Sequence, residues 1–199
     1  RPPRSTLFPY TTLFRSLGRH NLENALAALS AAVDAGVGID VTLEALSKFK
    51  GVKRRLDKKG VFKGVTLYDD FAHHPTAIAA TLAAVRTLKS EQRIIAVIEP
   101  KSNTMRMGVH SEALRKALGE ADRVFVLATE DLNWNPDSAL SALGSKLSVV
   151  WDVKDLLDGL LSELESGDRV IFMSNGNFQG LPRLLQQALK GSEQMAKSA

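Results

Sequence analysis

The alternation of two kinds of apolar run, from about residue 60 onward, constrains the fold of this chain more than any other feature of its sequence. Short runs rich in Val, Ile and Phe are typical of strands, and longer runs with apolar residues at helical spacing are typical of helices. The strand-like runs are 61–69, 93–99, 123–128, 147–151 and 169–174. The helix-like runs are 76–88, 111–121, around 137–145, 153–164 and 179–189. Strands that alternate with helices indicate βαβ units around a largely parallel sheet.

The composition of the strand-like runs indicates how the sheet is covered. Residues 94–98, 124–127 and 170–173 are almost continuously apolar, as expected for strands that are buried on both faces. We therefore predict an α/β domain with a doubly wound, mostly parallel sheet and helices on both of its faces.

Two helices and a connector precede this domain. Residues 17–37 are rich in Ala and Leu at helical spacing, and residues 41–49 form a second, shorter helical pattern with Asp40 or Thr42 near its cap. The segment FKGVKRRLDKKG, residues 49–60, is charged and shows no periodicity. It predicts a connector and a domain boundary.

The first sixteen residues differ from the rest of the chain. They contain three of the seven prolines and repeat the sequences TLF and RS. A secretory signal needs a continuous apolar stretch, which this segment does not have. The nine residues FPYTTLFRS resemble the translation of a common sequencing adapter, and we interpret residues 1–16 as a foreign, disordered segment. On that interpretation the natural start is missing, and we expect the chain to be a fragment.

The composition argues against several classes of protein. The sequence contains no cysteine, which excludes disulfides and thiolate metal sites and fits a reducing cytoplasm. No apolar run approaches the ~18 residues of a membrane helix. The formal charge is +4, but the foreign segment supplies three arginines and no acid, so the remainder carries only +1. Without a basic block, we expect neither nucleic acid nor a membrane as a partner.

Polar segments follow four of the predicted strands. Ligands of parallel sheets bind beyond the carboxyl ends of the strands, so these segments form the candidate functional region. The segments are DDFAHHP at 69–75, EPKSNTM at 99–105, TEDLNWN at 129–135 and SNGNFQG at 174–180.

The first of these segments combines acids and histidines. Pro75 suits the first position of a helix and His74 or Thr76 could cap it, so the simplest interpretation is a helix start. Adjacent histidines on a loop point in different directions, which argues against a metal site. The chemical interpretation is that Asp69 or Asp70 accepts hydrogen bonds from ligand hydroxyls, while the histidines donate to a carboxylate.

The second segment offers positive charge and short polar groups. Lys101 and Arg106 are cations. The side chains between them that can form hydrogen bonds are Ser102, Asn103 and Thr104. This set suits an acidic small molecule, and the alternative is a solvated loop.

Asparagines mark two further candidate sites. Asn175 and Asn177 lie in a glycine-containing loop before the last helix, where backbone N–H groups favour an anion. Asn21 and Asn24 lie at i, i+3 on one helix face, where side-chain amides could pair with adenine or simply cap the helix end. The sequence contains neither GxxxxGK[ST] nor GxGxxG. If the protein binds a nucleotide, this chain therefore supplies only part of the site.

Taken in order, these segments resemble the Mur ligases, the ATP-dependent amide-forming ligases of peptidoglycan synthesis. The resemblance rests on GRHNLENALAA, FKGVKRR, YDDFAHHPT and EPKSNTMRMG and covers about residues 18–190. It implies that residues 17–49 end a central ATPase domain, that 50–190 form a C-terminal Rossmann-like domain, and that 191–199 are a tail. It also implies that this chain lacks the family's UDP-sugar domain, its P-loop and its magnesium-binding carbamylated lysine. We therefore expect that this chain alone does not catalyse ligation.

The resemblance also assigns roles by position. The asparagines of the first helix, Asn21 and Asn24, match residues that contact adenine. Arg55 matches an arginine that reaches the ATP phosphates, and Asp70 matches an aspartate on the ribose side. The residues assigned to the incoming amino substrate are His73, His74, Lys101, Ser102, Asn103, Thr104, Arg106, Asn175 and Asn177.

Within the family, the combination of FKGVKRR, YDDFAHHPT and EPKSNTMRMG most resembles a ligase of peptidoglycan recycling, and the resemblance implies a cytoplasmic location. That enzyme joins UDP-N-acetylmuramate to L-alanyl-γ-D-glutamyl-meso-diaminopimelate through an acyl phosphate, with ATP and Mg²⁺ held mainly by the missing domain. The nearest alternative is the UDP-N-acetylmuramate–L-alanine ligase, in which an Arg-rich loop replaces KSNTMRM. An alternative of another class is a non-catalytic module that binds a nucleotide or an acidic peptide.

Overall fold

The structure, a computed structural model, describes residues 18–88 and 91–197 of the chain. The predicted foreign segment at 1–16 lies outside the described residues. The chain divides into two compact units, which meet in sequence between Lys53 and Arg54. None of the helices in the described part of the chain has the length and apolar character that a membrane span requires.

The first unit contains two helices, as predicted. They are α1 (Arg19–Asp34) and α2 (Ile39–Lys48), and they pack against each other. Gly36, in the turn between them, has a φ of +86° that suits glycine. Large apolar side chains of both helices are exposed, by 61% at Leu26 and by 61% at Val41. The described part of this unit therefore presents an uncovered apolar surface.

The second unit is built on one six-stranded sheet. Its strands are β1 (Asp57–Phe62), β2 (Val65–Asp70), β3 (Ile94–Ile98), β4 (Arg123–Leu127), β5 (Leu147–Val150) and β6 (Arg169–Met173). They lie in the order β1-β2-β6-β3-β4-β5. Strand β1 is antiparallel to β2, and every other neighbouring pair is parallel. The predicted α/β fold with a mostly parallel sheet is confirmed.

Helices cover this sheet in two groups. The α-helices are α3 (Pro75–Arg86), α4 (Asn103–Arg106), α5 (Ser111–Leu118), α6 (Pro136–Ala139), α7 (Val153–Glu163) and α8 (Leu181–Lys197). Helices α3 and α5 pack together, and so do α7 and α8. Leu156 of α7 and Leu185 of α8 belong to the same core cluster as Phe172 of β6. This places α7 and α8 on one face of the sheet.

The opposite face is buried as well. Successive side chains of a strand point to opposite faces, so Ala96, Val124 and Ile171 face away from the α7–α8 core. These three residues are 0% exposed, and α3 contacts β3. Helices α3 and α5 therefore cover this face, as the continuous apolar strand sequences predict. Each large apolar side chain buried in this way contributes about 1.5–3 kcal/mol.

The strand predicted at 61–69 is a hairpin rather than a single strand. The chain reverses at Lys63 and Gly64, whose φ values of +50° and +78° are those of a two-residue turn that matches the strand twist. A Cβ at Gly64 would also collide with the Ser166 side chain. Strand β1 extends into the predicted connector. The sequence does not reveal this part of the strand, because DKKG carries no apolar alternation.

Two helical segments differ most from their predicted extents. The helix predicted around 137–145 is α6 followed by a 3₁₀ helix, Ser141–Lys146. Gly144, with φ +59° and ψ −136°, interrupts it, because only glycine adopts that conformation readily. At the end of the chain, α8 continues to Lys197, so most of the predicted tail at 191–199 is helical.

Two arginine–carboxylate pairs lie at the amino edge of the sheet. Arg93 donates to both oxygens of Asp168, at 2.9 and 2.7 Å, and Asp168 is 2% exposed. Arg123 donates in the same way to Glu163 of α7, at 2.6 Å to each oxygen. The hydrogen bond with Arg123 lowers the pKa of Glu163. A lowered carboxyl pKa stabilises the fold above the unfolded pKa, and that stability is lost as the pH falls through the folded value.

We expect Glu163→Gln to lower the free energy of unfolding of the second unit by about 0.5–1 kcal/mol at pH 7, a modest value because the pair is partly exposed. The difference from the unchanged protein should shrink as the pH falls below the ordinary glutamate pKa of about 4.3 and on through the lower folded pKa. Urea unfolding followed by the fluorescence of Trp134 and Trp151, both in this unit, measures the effect.

Glu112→Gln is the matched control for this prediction. Glu112 forms an i,i+4 pair with Lys116 within α5, and both side chains are exposed, so its loss should matter less. Equal losses in the two variants at pH 7, or a loss in Glu163→Gln that persists undiminished at about pH 3, would contradict the role assigned to Arg123 and Glu163.

Candidate functional site

The carboxyl edge of the sheet has a crevice at β6. Helices α3 and α5, which come after β2 and β3, cover one face of the sheet, whereas α8, which comes after β6, covers the other. Because β6 lies between β2 and β3, the chain leaves these neighbouring strands in opposite directions. Folds of this kind bind ligands in the crevice that results. Residues 174–180, called the β6 loop below, lie at the centre of this edge.

Two charged side chains hold the β6 loop. Arg54 donates from Nη2 to the main-chain oxygens of Ser174, at 2.7 Å, and Gly176, at 2.6 Å. Glu99 Oε2 accepts from the Ser174 hydroxyl at 2.8 Å and from the Phe178 N–H at 3.2 Å. A cation thus binds carbonyl groups of the loop and an anion binds its donors. Charge-assisted hydrogen bonds of this kind are stronger than neutral ones, so together they favour one loop conformation.

The backbone of the β6 loop is strained. Phe178 and Gln179 have φ values of +52° and +51°, which side chains other than glycine rarely adopt. Gly176 approaches Glu99 so closely that a Cβ would lie 2.5 Å from Glu99 Oε2. Strain of this kind costs about 1–3 kcal/mol per residue and persists only where surrounding contacts impose it. Arg54 and Glu99 supply such contacts.

A cleft of about 260 Å³ opens beside the β6 loop. Arg54, Asp69 and Arg183 supply the charged part of its lining, and Asn177 and Phe178 of the loop also line it. Asp69 accepts from Arg54 at 3.4 Å, so that carboxylate is already paired with a cation. The volume of the cleft approaches the roughly 300 Å³ at which small-molecule sites begin. Asn177, which lines the cleft, is one of the predicted substrate residues.

Asp70 lies inside the protein, although its neighbour lines the cleft. It is 4% exposed. Its Oδ1 accepts from the Ala72 N–H at 2.7 Å, and its Oδ2 accepts from the Leu56 N–H at 2.8 Å and the Thr81 hydroxyl at 3.2 Å. Burial raises the pKa of Asp70, and these hydrogen bonds act in the opposite direction. The geometry gives Asp70 a structural role, and its contact with a ribose stays a prediction.

Arg55 lies in a segment that Asp70 helps to hold. Its neighbours Arg54 and Leu56 have φ values of +57° and +47°. The Leu56 N–H is bound by Asp70, and the Arg54 carbonyl accepts from the Phe71 N–H at 2.7 Å. The exposed Arg55 guanidinium lies 5.6 Å from the centre of the Phe71 ring. The residue predicted to reach phosphates is therefore a cation on a fixed backbone.

The two histidines have separate local roles. His73 Nδ1 lies 2.8 Å from the Phe71 carbonyl oxygen. His74 is the N-cap of α3 and accepts from the Thr76 N–H at 3.3 Å, which confirms the interpretation of this segment as a helix start. The His74 ring also meets the His110 ring edge-on, with 4.6 Å between centroids. The loop after β2 therefore touches the turn that leads into α5.

The loop after β3 combines exposed side chains with internally bonded ones. Lys101 and Thr104 are exposed. Arg106 donates to Asp131 at 2.7 Å and to Asn103 at 2.6 Å, so its charge is already paired. The positive charge predicted for this loop is therefore presented to solvent mainly by Lys101.

Two of the predicted substrate residues contain buried atoms with unused bonding capacity. Ser102 Oγ and Asn175 Oδ1 are buried and have no hydrogen-bond partner in the described part of the chain. A buried polar atom without a partner costs about 1–3 kcal/mol, so such atoms mark places where a water molecule or a ligand completes the bonding. The loops that carry them follow neighbouring strands, in which Ile98 lies opposite Met173.

The predicted adenine contacts lie in the first unit. Asn21 and Asn24 are three residues apart on α1 and thus lie on one face of that helix. Asn24 is exposed. Since the other nucleotide residues, Arg55 and Asp70, belong to the second unit, the joint action of the four stays a prediction.

Four contributors to this edge are absent from the set predicted from the sequence: Glu99, Arg54, His110 and Arg183. Glu99 has a detectable signal, because one acid directly after five apolar strand residues must find donors if it is buried. The sequence cannot distinguish Arg54 from its neighbour Arg55, because only the folded backbone decides which of the two side chains reaches the β6 loop. His110 carries no signal in its spacing.

Comparison with known proteins decides the family of this chain. Residues 54–176 match the family model described as "Mur ligase, glutamate ligase domain". This chain belongs to the Mur ligase family. The resemblance inferred from the ordered motifs is confirmed, and the match begins at the first residue of the second unit.

Individual relatives refine the comparison. This Mur ligase chain is 42% identical over 175 residues to the UDP-N-acetylmuramate–L-alanyl-γ-D-glutamyl-meso-2,6-diaminoheptandioate ligase of Haemophilus influenzae, covering 87% of the chain and 39% of the relative. It is 34% identical over 182 residues to the UDP-N-acetylmuramate–L-alanine ligase of Desulforapulum autotrophicum, covering 86% and 40%. It superposes with a TM-score of 0.70 on a murein peptide ligase from Psychrobacter arcticus, at 35% identity, over 89% of this chain and 38% of that one. The chain thus spans about two fifths of the length of the curated relatives it matches.

The contacts of Asp70 predict a large effect on stability. Asp70→Asn should lower the free energy of unfolding of the second unit by roughly 2–4 kcal/mol, because the new amide group faces the donors of Leu56 and Thr81. Asp69→Asn, a change in the next residue at the cleft, is the control and should cost less than about 1 kcal/mol. Urea unfolding measures both. Losses of equal size would show that the buried hydrogen bonds of Asp70 do not hold this segment.

Proposed function

We propose that this chain is the C-terminal part of an ATP-dependent ligase of peptidoglycan recycling, which joins UDP-N-acetylmuramate to L-alanyl-γ-D-glutamyl-meso-diaminopimelate. The observation that carries the proposal is the 42% identity to the Haemophilus influenzae ligase named for these substrates, against 34% to the L-alanine ligase. The arrangement of the loops supports it, because those after β2, β6 and β3 are neighbours at one edge of the sheet.

The chemistry of this edge suits the tripeptide. That peptide carries carboxylates and ammonium groups, so it can use both cations and acceptors. Lys101 is an exposed cation in the loop after β3, and Arg183 is a cation that lines the cleft. The residues that we assign to the peptide are those predicted from the sequence: His73, His74, Lys101, Ser102, Asn103, Thr104, Arg106, Asn175 and Asn177.

For ATP, this chain supplies only part of a site. The exposed guanidinium of Arg55 fits a phosphate, and the amides of Asn21 and Asn24, which lie on one face of α1, fit an adenine edge. The sequence has no GxxxxGK[ST] loop. Among the described residues, no group of three or more His, Cys, Asp or Glu is placed to hold a metal ion. Mg²⁺ is an expectation of the family resemblance, which places it mainly on the central P-loop domain. When bound, ATP supplies the phosphoryl group that activates the muramate carboxylate for attack by the incoming amine.

We assign residues 17–49 to the end of a central ATPase domain. The exposure of Leu22, Leu26 and Val41, by 62%, 61% and 61%, supports this assignment. Helices with apolar faces of this size bury them against further structure in a larger domain. We therefore expect ligation only from a protein in which this chain is joined to a P-loop domain. A cytoplasmic location follows from the family resemblance and stays a prediction.

The test is ligation by the full-length protein that contains this chain. With ATP and UDP-N-acetylmuramate, it should release phosphate when the tripeptide is added and far less when L-alanine is added. Arg55→Ala should lower kcat/KM for ATP more than tenfold, a loss above about 1.4 kcal/mol, because an exposed phosphate contact is removed. Lys58→Ala, which removes an exposed cation from the adjacent strand, is the control and should stay within about twofold.

Each alternative has its own outcome in this assay. A preference for L-alanine would identify the L-alanine ligase instead. Absence of phosphate release with either amino substrate would contradict a ligase and favour a non-catalytic binding module. An unchanged kcat/KM in Arg55→Ala would remove the role assigned to that residue while leaving the ligase itself intact.

A further inference from the structure

Glu99 is a buried acid to which the proposed function gives no task. It follows β3 directly and is 3% exposed. A buried carboxylate is costly unless donors satisfy it. Its Oε2 binds the Ser174 hydroxyl at 2.8 Å and the Phe178 N–H at 3.2 Å, both in the β6 loop. Glu99 therefore ties the end of β3 to the loop that follows the neighbouring strand.

Ser174 extends this contact into the loop. Its hydroxyl donates to Glu99 and accepts from the Gly176 N–H at 2.8 Å. Two N–H groups of the loop, those of Gly176 and Phe178, are thus bound in one network around a single carboxylate oxygen. Gly176 leaves the space that this network needs, since a Cβ there would lie 2.5 Å from Glu99 Oε2.

The network fixes the backbone on both sides of two predicted substrate residues. Asn175 lies between Ser174 and Gly176, and Asn177 lies between Gly176 and Phe178. Asn175 Oδ1 is buried and has no partner within the described residues. Asn177 is exposed and lines the cleft, and its Oδ1 accepts from the Gln179 N–H at 3.1 Å. The part of this side chain that can bind a ligand is therefore its amide NH₂ group, which donates.

We infer that Glu99 is a positioning residue of this ligase, which holds the β6 loop in the strained conformation that presents the Asn177 amide N–H groups at the cleft to a carboxylate of the peptide substrate. The identity of the substrate rests on the proposed function, whereas the hold of Glu99 on the loop does not. Arg54 holds the same loop through its carbonyl groups. Glu99 itself is bonded to the loop and acts on the substrate only through it.

Kinetics of the full-length ligase test the effect on substrate binding. The variants are Glu99→Ala and Glu99→Gln, and Asp168→Asn is the matched control. Asp168 is an equally buried carboxylate, 2% exposed, but it lies at the amino edge and binds Arg93. We expect KM for the tripeptide to rise by roughly tenfold or more in Glu99→Ala and by less in Glu99→Gln, which keeps one acceptor, while KM for ATP changes less than about twofold. Asp168→Asn should leave both KM values within about twofold.

Amide exchange in the 199-residue chain tests the hold on the loop without any substrate. The N–H groups of Gly176 and Phe178 should exchange with solvent roughly tenfold faster or more in Glu99→Ala, and at an unchanged rate relative to their neighbours in Asp168→Asn. If the unchanged full-length protein does not ligate the tripeptide but this exchange difference is found, the proposed function fails, while the hold of Glu99 on the β6 loop stands. Unchanged exchange of both amides, or a tripeptide KM that rises no more in Glu99→Ala than in Asp168→Asn, overturns the positioning role.

Discussion

The structure of the carboxyl edge depends on one loop held between opposite charges. Arg54 binds the carbonyl groups of the β6 loop, and Glu99 binds its donors. Each charge would be costly in a partly or fully buried position without these bonds, and the loop would not keep its positive φ values without the charges. The β6 loop, the cleft beside it and the predicted substrate residues Asn175 and Asn177 therefore depend on the same two charged side chains.

The rest of the fold brings the two charges to the loop. Strand β6 is the last in the chain but lies between β2 and β3, so its loop meets Glu99 on one side and the segment of Arg54 on the other. Asp70 fixes that segment by binding the Leu56 N–H. At the opposite edge, the pair of Arg93 and Asp168 joins the starts of β3 and β6. Hydrogen bonds at both ends therefore fix the same strand.

The sequence predicts the parts of this molecule that depend on local patterns. Strands 94–98 and 170–173 are recognisable because they are apolar on both faces, and the ordered motifs are sufficient for the family. The β1–β2 hairpin is not recognisable in the sequence, because only Gly64 marks its turn. Glu99 contacts Ser174 and Phe178, which are separated from it in sequence by 75 and 79 positions, and no local spacing can reveal such contacts. The sequence also suggests that the Asp70 carboxylate contacts a ligand. In the structure Asp70 is buried, and its carboxylate binds groups of the protein instead.

We propose that the amino substrate binds at the carboxyl edge, across the loops after β2, β3 and β6. Hydrogen exchange followed by mass spectrometry, on the full-length protein with ATP, UDP-N-acetylmuramate and the tripeptide, tests it most directly. We expect substrate to slow exchange in peptides that cover 71–74, 99–107 and 174–180, and to leave the amino-edge segment at 164–168 unchanged. Slowed exchange confined to the amino edge, or no change in these loops at saturating substrate, would contradict the account.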